Sequence, residues 1–196
     1  MPGYTNGLAF FLVKARKRVK AISTARYLPS YTVQDYRQWE GDWELWQGIP
    51  IAMTPSPFGI HQRYAMLIAF ALESAILESK CNSIVLQETD WIVDQSTVLR
   101  PDVVLLCDGV PDGHIEKTPG LVCEVLSPST KNRDLGGKRE LYVAAAVEHY
   151  LVADPQSSEL FYSCSGAELQ LLELDELHIT VCDDCELIVD LCKIRG

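Results

Sequence analysis

LVCEVLSPSTKNRDLGGKRELYVAAAVEHYLVADP, running from Leu121 to Pro155, is the stretch that decides the architecture. Leu121 to Leu126 is apolar apart from Glu124, as expected of a central strand covered on both faces. Asp134 to Val147 is predicted as a helix, because Lys138, Leu141, Tyr142 and Ala145 recur at helical spacing. His149 to Ala153 is predicted as a second strand. A strand, helix and strand of these lengths form a crossover, which lays the two strands parallel. The fold class is therefore α/β, in the α+β sense of a mixed sheet.

Flanking elements fill in the same domain. Thr32 is positioned as the N-cap of a short helix through Arg37. Trp43 to Trp46 and Ile49 to Met53 flank Gln47-Gly48, a tight-hairpin signal. Thr54-Pro55-Ser56-Pro57 breaks the second strand, and His61 to Lys80 is a helix whose Ala65, Ile68, Ala69, Leu72, Ala75 and Ile76 make one buried face. Ser83 to Glu88 and Val98 to Cys107 are predicted strands. After Asp154-Pro155 come strand-like runs at Leu160–Cys164, Leu169–Leu174, Ile179–Cys182 and Leu187–Leu191, an antiparallel C-terminal part. There is no linker or repeat, so residues 30–196 read as one domain and residues 1–29 as a basic extension.

The 196-residue chain is 47% hydrophobic and 22% charged, which excludes a disordered chain. No run is long and apolar enough for a transmembrane segment. The first 26 residues carry six basic side chains (Lys14, Arg16, Lys17, Arg18, Lys20, Arg26) and no acid, against a formal net charge of -10 overall. Helical spacing of Leu12, Arg16, Val19 and Lys20 would suit an amphipathic helix on a membrane or acidic partner, whereas a frayed extension is the simpler expectation. An acidic body repels phosphate backbones unless a local cation reverses the sign.

Seven cysteines (81, 107, 123, 164, 182, 185 and 192) in a chain without a secretory signal are expected to be free thiols in a reducing cytoplasm. His178, Cys182, Cys185 and Cys192 have a spacing that could hold a structural zinc. With a single C-x-x-C pair the motif is weak.

Two acids stand where strands tolerate them at a cost: Asp102 opens PDVVLLC, and Glu124 interrupts LVCEVL. The helix stripe carries Lys138 inward, and a buried lysine needs an acid. Two carboxylates beside an ammonium suit a hard divalent cation, Mg²⁺ or Mn²⁺, with water completing its shell.

RPDVVLL (Arg100–Leu106), LVCEVLSPST (Leu121–Thr130), RDLGGKRELY (Arg133–Tyr142) and EHYLVADP (Glu148–Pro155) together resemble a widespread bacterial family of predicted endonucleases in the restriction-endonuclease-like PD-(D/E)xK superfamily. YTVQDY, WELWQG and PSPFGIHQ extend the resemblance upstream, so that it spans about residues 30–155. It implies a restriction-endonuclease-like core with flanking helices and an N-terminal β-hairpin. It further implies that Asp102, Glu124 and the backbone carbonyl of Val125 ligate Mg²⁺ or Mn²⁺, in the service of phosphodiester hydrolysis in nucleic acid, DNA first. The superfamily's usual lysine position is Leu126 here, which moves that role to Lys138. Glu44 and His61 are implied to approach the same cleft.

Asp134 either holds Lys138 at i, i+4 or caps its helix; the N-cap preference of Asp favours capping. Tyr142 and Tyr150 are expected in the core, and Glu73 in solvent. Lys131, Arg133, Lys138 and Arg139 form a cationic cluster for phosphate contacts. Cutting a duplex is simplest for a homodimer. The competing expectation is a catalytically inactive nuclease-fold module that serves as a binding or interaction protein, for which the missing lysine at position 126 and the acidic body both argue.

Overall fold

The computed structural model describes residues 29–53, 59–129 and 131–195. In chain order the first elements are α1 (Val33–Tyr36), β1 (Trp43–Trp46), β2 (Ile49–Ala52), α2 (Gly59–Ser79), β3 (Ile84–Gln87), β4 (Trp91–Asp94) and β5 (Thr97–Leu99). Next come β6 (Val103–Leu106), β7 (Leu121–Val125), α3 (Lys131–Asp134), α4 (Gly137–Ala144), β8 (His149–Asp154) and β9 (Glu159–Cys164). The chain closes with β10 (Gln170–Leu171), β11 (Glu176–Val181), β12 (Cys185–Asp190) and α5 (Cys192–Arg195). Residues 1–28 of the basic extension and the predicted break at 54–57 lie outside the described residues.

A six-stranded sheet ordered β10-β9-β8-β7-β6-β3 forms the centre. β7 and β8 pair in parallel, Leu121 with His149 through Val125 with Ala153, as the crossover requires. The other pairs in this sheet are antiparallel, so it is mixed. A four-stranded sheet, β2-β1-β5-β4, stands beside it, and β11-β12 is a separate hairpin.

Alternation along β7 sorts its side chains. Leu121, Cys123 and Val125 join α2 and the β11-β12 hairpin in one core. Val122 and Leu126 join Trp91, Tyr142 and Tyr150 in the core on the opposite face. Successive strand residues point to opposite faces, so Glu124 belongs to the Tyr142 side.

Local signals explain the smaller elements. Thr32 caps α1 in a reciprocal box with Asp35. Gln47 and Gly48 both take positive φ (49° and 85°), the left-handed pair that a two-residue hairpin loop needs.

Four expectations are corrected. The predicted helix from Asp134 to Val147 is shorter, Gly137–Ala144 (α4), with Gly136 at its N-cap; Asp134 instead ends a separate short helix, α3. A Cβ at position 136 would lie 2.7 Å from the Asn132 carbonyl oxygen, so the tight corner between them admits only glycine. The predicted strand from Val98 to Cys107 is two strands, and β5 and β6 belong to different sheets. The chain changes sheets at Arg100–Asp102, where Pro101 has no N–H for a ladder. β4 was not predicted; Trp91 leads it into the core, and it pairs with β5. Glu73 is partly buried, and its carboxylate accepts the Val85 amide at 2.8 Å on edge strand β3.

The cysteine expectation changes most. Cys81 is bonded to Cys185, and Cys107 to Cys182. Both bridges reach the turn of the β11-β12 hairpin, one from the end of α2 and one from the end of β6. Cys123 is buried, while Cys164 and Cys192 are exposed thiols. The zinc reading fails with this: Cys182 and Cys185 are bonded elsewhere, and His178 is an exposed residue 3.3 Å from Glu176.

Denatured, unreduced protein should therefore release three reactive thiols, and reduced protein seven, read by alkylation and intact mass. Cys107→Ser should lower unfolding free energy by about 2–4 kcal/mol in denaturant titration, because it frees a long loop in the unfolded chain.

Candidate active site

Lys138 is the hub of the site. It sits in the first turn of α4 on the stripe that packs toward the sheets, and only 5% of it is exposed. Its Nζ lies 2.8 Å from Glu124 Oε1 and 3.0 Å from Glu44 Oε1, and it donates to the Arg100 carbonyl at 2.9 Å. An ammonium has three protons, and these three acceptors use them all.

Each acid arrives from a different strand. Glu44 is on β1, buried between Trp43 and Leu45, which pack with the α1 core. Glu44 Oε1 also accepts the Arg100 amide at 2.7 Å, and Oε2 accepts the Trp46 indole N–H at 3.0 Å. Both oxygens of Glu44 are thus committed within the protein. Glu124 stands on β7, where the Tyr142 hydroxyl donates a very short hydrogen bond to the same Oε1 that Lys138 holds. Asp102 sits at the sheet switch ahead of β6. Its Oδ2 accepts the Val125 amide at 2.7 Å and lies 3.2 Å from His61 Nε2.

These contacts load one oxygen of each of the two central carboxylates. Among the described residues, Asp102 Oδ1 and Glu124 Oε2 are left without a protein hydrogen bond. Asp102 is the more open of the two, with 17% of its side chain exposed against 2% for Glu124.

Charge follows from this packing. Burial opposes the charge on Asp102, but the hydrogen bond and charge of His61, with help from Lys138 and the Val125 amide, hold its carboxyl below the ordinary value. Burial pushes the Glu124 carboxyl well up; Lys138 pulls it down, but Asp102 and Asp134 add like charge. Lys138 stays cationic, because Glu124, Glu44, Asp102 and Asp134 outweigh its burial. Tyr142 is held as a neutral donor by burial and by the Glu124 charge. Four carboxyl groups, those of Glu124, Glu44, Asp102 and Asp134, thus bear on Lys138 in a nearly dry place.

His61 opens the buried side of α2, and its Nδ1 is buried without a hydrogen-bond partner among the described residues. Asp134 is buried at the end of α3. It is not the N-cap of α4, since that position is Gly136, and it bears on Lys138 through its charge. Leu126 is buried in the core on the Glu124 side, so an ammonium at that position would have to displace apolar packing.

The expected cationic cluster does not assemble. Lys131 pairs with Asp154 at 2.8 Å, Arg133 reaches the Ala52 carbonyl, and Arg139 turns to the Gly166 and Ala167 carbonyls. Lys138 is buried away from all three.

Three contributors escaped the sequence reading. Tyr142 was placed in the core, and it does stack on Trp91 with ring centroids 6.3 Å apart, but its hydroxyl also serves Glu124. The available signal was its position one turn after Lys138. Trp46 and the Arg100 backbone left no comparable trace, since each acts through a contact between elements far apart in sequence.

The architecture can be set against known proteins. Residues 33–184 match the model of the Uma2 family, described as "Putative restriction endonuclease". The chain belongs to this family. Among solved structures, it is similar to the crystal structure of "a putative nuclease belonging to DUF820" from Anabaena variabilis. That likeness has a TM-score of 0.66 at 15% identity and covers 84% of this chain and 97% of the other, so it bears on the fold alone. No curated protein matches the sequence. The matched Uma2 region contains every residue of the Lys138 cluster. Among the described residues no helix is long and apolar enough to cross a membrane.

Two outcomes test the electrostatics of this Uma2 member without reference to activity. Lys138→Ala should cost about 3–5 kcal/mol of stability at neutral pH, because it strands buried carboxylates. Adding Glu124→Gln should recover part of that loss in urea titrations. In metal-free protein, NMR should put the His61 titration above its ordinary 6.5. Burial opposes the proton there, but the Asp102 hydrogen bond and charge, with the charges of Glu88 and Asp134, together outweigh it. The stabilisation from charged His61 is then full below about pH 6.5 and is lost as pH rises through the folded midpoint. Asp102→Asn should drop that midpoint below 6.5, where burial dominates.

Proposed function

We propose that this chain is a divalent-metal-dependent endonuclease that hydrolyses phosphodiester bonds in nucleic acid, DNA first. The observation that carries this reading is the pair Asp102 and Glu124, each with one oxygen that takes no hydrogen bond among the described residues, beside the buried ammonium of Lys138.

The donor set suits Mg²⁺ or Mn²⁺. Both are hard cations that take carboxylate and carbonyl oxygens and keep several waters. Asp102 Oδ1, Glu124 Oε2 and the carbonyl of Val125 are the proposed ligands, with water completing the shell. Glu44 is not among them, since both its oxygens are engaged. Among the described residues no group of three or more His, Cys, Asp or Glu side chains is placed to hold a metal ion, so in this reading water supplies much of the shell. When bound, the cation supplies charge stabilisation for phosphate oxygens and makes an attacking water more acidic.

The chain's own residues have separate tasks in this reading. Tyr142 and Lys138 fix the orientation of Glu124 by sharing its Oε1. His61 and the Val125 amide do the same for Asp102. Glu44 holds Lys138 at 3.0 Å as its second carboxylate partner. To stabilise charge developing on phosphorus oxygens, Lys138 exchanges one of its present acceptors for the substrate. Exposed Lys131 offers a phosphate contact once it leaves Asp154. Cleavage of both strands of a duplex would be served by a homodimer.

Cleavage of single-stranded DNA, duplex DNA and RNA in Mg²⁺ or Mn²⁺ tests the reading. Asp102→Asn and Glu124→Gln should each lower the rate roughly a hundredfold or more and weaken Mn²⁺ binding in calorimetry. Unchanged cleavage by either variant overturns the assignment. The saturated state of Lys138 favours the second reading, a nuclease fold kept as a binding module. Mn²⁺ binding without cleavage of any of the three substrates would select it.

A further inference from the structure

β1 presents two faces with different chemistry. Glu44 and Trp46 serve the Lys138 cluster, whereas Trp43 faces the α1 side with Tyr31 and Trp39. There the three rings, with Glu40 and Pro50, line a cavity of about 310 Å³. Tyr31 stands at 80° to Trp39 with ring centroids 5.3 Å apart, and Trp43 at 66° and 5.9 Å. Edge-to-face contacts of this kind keep the rings from closing over one another, so π surface remains to line the space.

We propose that this cavity is a binding site for an alkylated ammonium group. Three observations converge on that chemistry. Electron-rich ring faces attract a cation directly, and most strongly one that water solvates poorly, as it does a methylated ammonium. The lining contains no basic residue, and exposed Glu40 supplies a negative charge at the rim. The Trp43 indole N–H is already bonded to the backbone carbonyl of Glu40 at 2.8 Å, which fixes this wall of the cavity. A phosphate-bearing ligand such as a stacked nucleotide is disfavoured by the Glu40 carboxylate. The site is independent of the nuclease reading, because none of its residues touches Lys138, Asp102 or Glu124.

The shared chemistry has two sources, a free small molecule such as choline or a trimethyl-lysine displayed on a peptide. Both are titrated into the full chain and followed by the indole N–H resonances in NMR. The Trp39 and Trp43 signals should shift saturably in the millimolar range or tighter, while those of Trp46 and Trp91 hold still. The neutral carbon isostere of choline should bind roughly fivefold or more weakly, since it keeps the shape and loses the charge. Glu40→Gln, a surface change with no demand on folding, should weaken choline roughly two- to fivefold. Tighter binding of the peptide than of choline assigns a protein-borne ligand, and the reverse a metabolite. Equal affinity for the neutral isostere, no saturable shift at Trp39 and Trp43, or preferential binding of a nucleotide probe overturns the proposal.

Discussion

One ammonium joins the parts of this protein. Lys138 takes a carboxylate from the β1 hairpin, a carboxylate from the central strand β7, and a backbone carbonyl from the point where the chain passes between sheets. A buried lysine is costly unless every proton is accepted and the charge is met. Satisfying it therefore dictates how closely the four-stranded sheet, the six-stranded sheet and α4 approach. Moving any one of the three by an ångström would leave a charge unpaired in a dry space.

The backbone around the cluster is shaped to the same end. Gly136 allows a corner that a Cβ would block, and this lets α4 start where Lys138 reaches inward. The proline before Asp102 ends one ladder, and the Asp102 side chain then takes the amide that the ladder would have used, at Val125. Arg100, just ahead of it, is clamped from outside by Asp90 at 2.6 Å and Asp42 at 2.8 Å. Its peptide, which serves both Glu44 and Lys138, is thus held from both sides.

On the opposite face, the β11-β12 hairpin covers α2 and the central strands with Leu177, Ile179, Val181, Leu187 and Val189. Its turn is tied by both disulfides, and His149 links β8 to the Thr180 carbonyl on β11 at 2.8 Å. The long helix that carries His61 is thereby packed against a pinned layer, which steadies the approach of His61 to Asp102.

By itself the sequence determined the parallel pair β7-β8, the β1-β2 hairpin, the long α2 helix and the mixed α/β class, because these rest on local periodicity and turn chemistry; the family came from the resemblance of its motifs. It also marked Asp102, Glu124 and Lys138 as residues needing an explanation, since charge in an apolar stretch is visible without coordinates. Only the tertiary structure decided that Lys138 bonds Glu44 as well as Glu124, that Tyr142 serves both core and site, and that Arg133 and Arg139 turn away. The split of Val98–Cys107 between two sheets and the pairing of Cys81 with Cys185 and Cys107 with Cys182 were likewise beyond the sequence. Each of these depends on residues far apart in the chain meeting at a particular distance, and no local pattern encodes a distance.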